Sequence, residues 1–256
     1  MRFWFRCAEC GAERPFRIAG ARCGCGGTLL VEYDLEWAAR NMSKDRLLHR
    51  GASMWRYAEL LPAKDPARAV SLGEGWTPLV RLHGEERRLP LRTLRVKREE
   101  QNPTGSFKAR GFSVAVTLAK ESGAGKVAVN SNGNAASALA AYAARAGLAA
   151  HVFLPKDVPG LIAAECLHYG AETVLVDGYI HDAGRIVEEG RERQGWAHLG
   201  TLKEPGRAEG KKTMGLELSE QLGWTLPDVI VYPTGGGSGI IGMWNAFRQL
   251  KALGLV

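Results

Sequence analysis

Beyond residue 110 the chain alternates short apolar runs with longer stretches whose apolar positions recur at helical spacing. Lys126 to Asn130, His151 to Leu154 and Thr173 to Val176 read as buried strands, and Ala197 to Leu199 as a further short one. Ala135 to Ala146 is an alanine-rich helix stopped by Gly147, Leu161 to Tyr169 a helix closed by Gly170, and Ile180 to Gln194 a helix with a polar face. Glu209 to Leu222 reads as a helix closed by Gly223, Val229 to Tyr232 as a strand feeding a glycine run, and Ile240 to Leu253 as the last helix. Repeated strand-helix units need right-handed crossovers, which predicts an α/β fold with a mostly parallel sheet covered on both faces. Ligands in such sheets bind at the carboxyl ends of the strands.

The pattern before residue 110 is less regular. Asp34 to Leu61 mixes charges with Leu47, Leu48, Trp55 and Tyr57 and reads as a loosely helical arm, which Pro62 and Pro66 break. Leu72 to Leu79 is a glycine-rich turn running into a short extended piece ahead of Pro78. Leu94 to Lys97 reads as a short strand and Phe112 to Ala119 as the buried side of a helix, with Pro103 and Gly105 turning between them.

Composition places the chain among ordinary globular proteins, with 45% hydrophobic and 24% charged residues in 256. No apolar run approaches the roughly 20 residues that span a bilayer. The Met1 to Arg6 stretch has no signal-peptide pattern, so the expected location is cytoplasmic, with no membrane partner. The net charge of +7 is concentrated early: residues 1 to 110 hold 21 Lys and Arg against 13 Asp and Glu, the remainder 13 against 14. That surplus suits nucleic acid or a phosphorylated small molecule. No run of like charges or repeating aromatic pattern marks a nucleic-acid tail, so nucleic acid is not the expected partner.

Cys7, Cys10, Cys23 and Cys25 crowd the first 25 residues in one C-x2-C and one C-x-C pair, each followed by glycine. Two such turns aim thiolates at one centre and suit structural zinc, since four thiolates leave no open position for catalysis. A metal-free or redox pair is the alternative. The expected organisation is a zinc-ribbon-like module over residues 1–33 and a catalytic region over 34–256.

Lys108, within Gln101-Asn102-Pro103-Thr104-Gly105-Ser106-Phe107-Lys108, falls in the first turn of a helix. The helix N-terminus disfavours its ammonium form, and Phe107 and Phe112 add to that, so a nucleophilic fraction of amine is expected. Neutral lysine amines condense with aldehydes. Ser131-Asn132-Gly133-Asn134 joins a strand to the alanine-rich helix and offers amides to a carboxylate or phosphate, with the Asn134 amide able to reach a phenolic oxygen. Thr234-Gly235-Gly236-Gly237-Ser238-Gly239 joins Val229 to Tyr232 to the last helix and turns its amides toward one anion. No Gly-Lys-Ser/Thr follows it, which excludes the nucleotide P-loop.

These three loops, in this order, resemble the fold-type II pyridoxal-phosphate enzymes, the group of tryptophan synthase beta chains and threonine dehydratases. The resemblance implies two open parallel-sheet domains, with a smaller mobile subdomain at about 110–200 inserted in the larger. It implies that Lys108, beside Phe107, holds the cofactor aldehyde as a Schiff base. Ser131, Asn132 and Gly133 would serve the substrate carboxylate, Asn134 the cofactor ring oxygen, and Gly235, Gly236, Gly237, Ser238 and Gly239 the cofactor phosphate. Within the group the chain is similar to threonine synthases in its cysteine-bearing N-terminus, in Gly73-Glu74-Gly75-Trp76-Thr77-Pro78-Leu79, in Ala140 to Gly147 and in Glu209-Gly210-Lys211-Lys212-Thr213. Thr77 is counted with the substrate-binding residues on that basis.

The implied reaction converts O-phosphohomoserine and water to threonine and phosphate. A deaminating lyase of the same fold, acting on threonine or serine, is the nearest alternative, and a zinc-ribbon nucleic-acid-binding protein the more distant one. A homodimer is left open. Enzymes of this group continue past the last helix, so the resemblance also implies a C-terminal truncation, with Val256 not the natural end.

Overall fold

The computed structural model describes residues 2–14 and 23–256. Strands β1 (Phe3–Cys7), β2 (Glu13–Arg14) and β3 (Leu29–Tyr33) form an antiparallel sheet in the order β2-β1-β3. Phe3 pairs with Tyr33 and Cys7 with Leu29, so alternate residues face one side. Phe3, Phe5 and Cys7 there meet Leu29, Val31, Tyr33 and Cys23 in a small core. Residues 15–22, inside the span read as one module, lie outside the described residues.

Helices α1 (Leu35–Asn41) and α2 (Lys44–Leu48) form the arm, and each begins at a side-chain cap. Asp34 Oδ1 accepts the Trp37 amide at 2.8 Å and Ser43 Oγ that of Arg46 at 3.3 Å. Tight 3-10 turns follow, then β4 (Leu79–Arg81) and β5 (Arg95–Lys97), which pair antiparallel on either side of α3 (His83–Glu86).

The regular part comprises α4 (Lys108–Glu121), β6 (Lys126–Asn130), α5 (Asn134–Ala146), β7 (Ala149–Pro155), α6 (Gly160–His168), β8 (Glu172–Val176), α7 (Ile180–Gln194) and β9 (Ala197–His198). The strands make one four-stranded parallel sheet in the order β8-β7-β6-β9. The chain steps outward from β6 to β7 to β8, then returns to the other side of β6 with β9. That reversal opens a crevice between the carboxyl ends of β6 and β9. Phe112 and Val116 of α4, Leu139 and Tyr142 of α5, and Val129 and Val152 of the sheet fill the core beneath it. The alanine-rich sequence of α5 follows from its place: Ala136, Ala138, Ala140 and Ala143 are fully buried, and small side chains let the neighbouring layers close on it.

The last helices are α8 (Gly206–Gln221) and α9 (Ser238–Ala252). α8 packs against both α4 and α9 and is buried on nearly every side, although it carries Arg207, Glu209, Lys211, Lys212 and Glu217. Its approach to α4 requires glycine: a Cβ on Gly210 would stand 1.9 Å from the Arg110 carbonyl oxygen. On another face of α8, the Tyr33 hydroxyl donates to Glu209 Oε2 at 2.6 Å. The Lys212 ammonium pairs with the same carboxylate and lies 3.9 Å from the Tyr33 ring centre. The cysteine-bearing sheet is thereby anchored to the helix that lines the crevice.

One stretch differs from expectation. Val229 to Tyr232 forms no strand: it has no ladder partner among the described residues, and Val229 and Val231 are 78% and 94% exposed. An apolar run signals a strand only where a neighbour satisfies its amides and carbonyls. The described residues hold one parallel sheet. α9 leaves Ile240, Ile241 and Trp244 exposed on one side while Met243, Ala246 and Leu250 are buried on the other. No helix among the described residues is long and apolar enough to cross a membrane.

Candidate active site

Lys108 is the first residue of α4 and is half-buried. The Ser106 hydroxyl accepts its amide at 3.3 Å, and Thr104 turns the preceding loop at φ +60°, a conformation costly for a residue with a branched side chain. Two residues on, the fully buried Arg110 fixes the first turn of α4. Its guanidinium grips Glu217 through Nη1 at 2.6 Å and Nη2 at 2.8 Å, and Glu99 through Nε and Nη2 at 2.7 Å each. Lys97 Nζ joins Glu217 at 2.9 Å. These two-pronged pairs tie β5, the lysine loop and α8 to the start of α4.

Lys108 opens into a cleft of about 320 Å³ outside the carboxyl ends of β6 and β9. The cleft brings together Phe107, Lys108, Ser131, Asn132, Gly235, Gly236, Gly237, Ser238 and Gly239. Gly237, at φ +75°, turns the chain into α9, so the first amides of that helix face the cleft with no carbonyl one turn earlier to accept them. Phe107 meets Tyr232 edge to face at 5.6 Å between ring centres. The Tyr232 hydroxyl is buried without a hydrogen-bond partner.

Three predicted residues are not among those lining the cleft. Gly133 is the N-cap of α5 and Asn134 its first residue, between Asn132 and Ala135, which do line it. Thr77 is buried in the Arg110 network, where its hydroxyl donates to Glu99 at 2.7 Å and accepts from Arg110 Nη2 at 3.2 Å. A threonine so engaged is part of the support beneath the lysine loop.

Arg207 and Lys211 line the cleft, and the sequence reading missed both. They stand four residues apart on α8, so they share one face of it. Each is 2% exposed, and neither these two nor Lys108 makes an ion pair with a carboxylate among the described residues. Lys211 Nζ donates to Ser238 Oγ at 2.5 Å. Arg207 donates through Nη1 to the Leu199 carbonyl at 3.0 Å and lies over the Phe112 ring, while its Nε has no partner. The available signal was their i, i+4 spacing beside the glycine loop, but a charged helix face ordinarily points to solvent.

Burial lowers the basicity of all three cations, and neighbouring positive charge adds to it for the two lysines. Burial, then the Arg207 charge, brings the Lys108 amine down to about 8. Burial, then Arg207 and Lys108, brings Lys211 down to about 6. Burial likewise lowers Arg207, to about 10. The acid whose charge opposes these shifts at Arg207 and Lys211 is Glu204, whose carboxyl burial raises to about 7 although it accepts the Gly206 and Arg207 amides. The cleft is therefore a positive, partly neutralised pocket around an amine that is unprotonated in appreciable fraction near pH 8.

The four N-terminal cysteine sulfurs lie within 4.8 Å of one another, Cys7 and Cys25 at 3.5 Å and Cys10 and Cys23 at 3.6 Å. Tetrahedral zinc with four thiolates requires sulfurs about 3.8 Å apart, from bonds of about 2.3 Å. The thiols already differ in acidity: the Cys25 amide, then the Cys10 thiol, lower Cys23 to about 6, while Cys25 is raised to about 12, the neighbouring thiols outweighing the Gly27 amide.

Residues 70–254 match the family described as pyridoxal-phosphate dependent enzyme. The threonine synthase of Methanocaldococcus jannaschii is 38% identical over 98% of this chain, and that of Methanosarcina acetivorans 36% over 99%. The chain spans 62% of the length of each of these two relatives. Among solved structures, a T.th. threonine deaminase is 32% identical and superposes with a TM-score of 0.60, over 69% of this chain and 56% of that one. The chain belongs to the pyridoxal-phosphate dependent enzymes.

Proposed function

We propose that the cleft holds pyridoxal 5'-phosphate and that the protein acts as a threonine synthase, converting O-phosphohomoserine and water to threonine and phosphate. The observation that carries the first half is the shared cleft: a weakly basic Lys108 amine opens into the same space as a glycine loop at a helix N-terminus. The fit is chemical as well as spatial. An amine for the aldehyde, amides for the phosphate and the apolar Phe107 ring, its centre 3.8 Å from the Lys108 amine, are all present in one pocket. Bound there, the cofactor supplies an electron sink next to the substrate's α carbon.

The chain's own residues divide the remaining work. Lys108 is the base positioned to take the α proton and return it further along the substrate. Ser131 and Asn132, after β6, line the same cleft and would serve the substrate carboxylate. A cofactor phosphate and a substrate phosphate together bring more negative charge than one glycine loop balances. Arg207 and Lys211, without carboxylate partners, supply the balance. This surplus supports O-phosphohomoserine, as does the 36–38% identity to threonine synthases.

The similarity to a threonine deaminase keeps a second reading in view, in which threonine is deaminated. Product analysis separates the two. Incubated with cofactor and O-phosphohomoserine, the protein should release phosphate and threonine in equal amounts. If threonine gives 2-oxobutanoate while O-phosphohomoserine gives no phosphate, the deaminating reading replaces ours.

We further propose that Cys7, Cys10, Cys23 and Cys25 hold a structural zinc ion in a small module of residues 1–33. The four sulfurs support this by their mutual spacing, and the Tyr33 contact to Glu209 gives the metal a mechanical link to α8.

A further inference from the structure

Lys211 is out of place by the usual rules for charge. It lies at 2% exposure on α8, beside Arg207 on its own helix and facing Lys108 from α4, with Glu204 the one acid whose field opposes them. The sole side-chain hydrogen bond of Lys211 among the described residues runs from Nζ to Ser238 Oγ, at 2.5 Å. Ser238 is the first residue of α9 and follows Gly237 directly, so the lysine amine sits at the end of the glycine loop. Burying adjacent cations without counter-charge is costly and is tolerated only where an anion or loss of a proton relieves it. The orphan Arg207 Nε, in the same pocket, marks a second donor without an acceptor.

We propose that Lys211 is a phosphate-binding residue of the glycine loop: its amine joins Ser238 and the first amides of α9 in holding the phosphate monoester of the cofactor. The proposal rests on the reading that pyridoxal 5'-phosphate occupies the cleft. No bond is made or broken. An arriving dianion turns the repulsion among Lys108, Arg207 and Lys211 into attraction, and Lys211 takes up a proton as the anion settles. Ser238 rotates its hydroxyl from accepting the amine's proton to donating to the phosphate. Neutral in the empty cleft and charged in the filled one, the lysine costs the fold little while the site waits.

The test compares two aldehydes that differ only in phosphate. Dissociation constants of pyridoxal 5'-phosphate and of pyridoxal are measured by visible absorption, for the full chain and for Lys211→Gln and Lys211→Met. The wild-type chain should prefer the phosphorylated aldehyde. Both substitutions should weaken it by about 10- to 100-fold, the loss expected for one charge-assisted hydrogen bond. Pyridoxal binding should stay within about two-fold. As a second readout, inorganic phosphate should raise the unfolding temperature of the cofactor-free wild type and not that of either variant. Unfolding of the cofactor-free variants at or above the wild-type temperature verifies that they fold.

Equal preference for the phosphorylated aldehyde in wild type and variants would overturn the role of Lys211. So would equal weakening of both aldehydes, which would place its effect on Lys108 or on the fold. A wild-type chain that does not distinguish the two aldehydes would instead remove the cofactor reading on which the proposal stands.

Discussion

Arg110 shows how much of this site is held by groups that never touch a ligand. Its guanidinium is fully buried between Glu217 and Glu99. Replacing it with methionine keeps the bulk but strands two carboxylates, a loss of about 3–5 kcal/mol for a broken buried pair. Arg110→Met should therefore unfold at markedly lower denaturant concentration, and an unchanged midpoint would show that the pairs are not stabilising. The same network has a signature in acid. Although burial opposes it, the Arg110 charge holds the Glu217 carboxyl down at about 2, from an ordinary 4.5. A depressed carboxyl contributes stability fully above its unfolded value and loses it as pH falls through the folded one. The wild type should thus lose stability between about pH 4.5 and pH 2 through this group, and Arg110→Met should lose less there. None of this was legible beforehand: Arg110 reads as one more basic residue after Lys108, and only the folded chain shows carboxylates from two distant segments meeting it.

At the level of elements, the strands and helices of residues 126–198 were legible because each apolar run is bounded by glycine and matched to one period. β6 and α7 carry the limits expected for them, Lys126–Asn130 and Ile180–Gln194. α8 was harder, since a helix buried on several sides with charges at each has no single apolar stripe to betray its faces. One face carries Arg207 and Lys211 to the cleft, and another carries Glu209 and Lys212 to Tyr33. Val229 to Tyr232 failed as a strand for the opposite reason, because hydrophobicity alone does not reveal whether a neighbour exists to pair with. The link from β3 to α8 yields a test of the metal module. If Cys7, Cys10, Cys23 and Cys25 hold zinc, chelation should lower the unfolding temperature by several degrees, the consequence of roughly 1–3 kcal/mol lost. Cys23→Ser should reproduce that shift and make chelation silent. A chain whose unfolding ignores the chelator would contradict the metal site.

For the molecule as a whole, the central claim is that a fold reversal between β6 and β9, a glycine loop and the first turn of α4 converge on one amine. The lysine loop and the glycine run could be read in the sequence because each has a local reason, a helix start or a stretch free of side chains. Their convergence could not, since it depends on strand order. The lowered basicity was legible in part: Phe107 and Phe112 announced the burial that brings Lys108 to about 8, but not the Arg207 charge that adds to it. A lysine so lowered is protonated below about pH 8 and free above it, so condensation with an aldehyde should accelerate as pH rises toward that value and level off beyond it. The most direct measurement is to add pyridoxal 5'-phosphate, fix it with borohydride across a pH series, and identify the labelled peptide by mass spectrometry. The account predicts a single label on Lys108, with initial rates half-maximal near pH 8 and levelling above it, and no label in Lys108→Ala. A label on Lys211 or on another lysine, or one that survives Lys108→Ala, would contradict it.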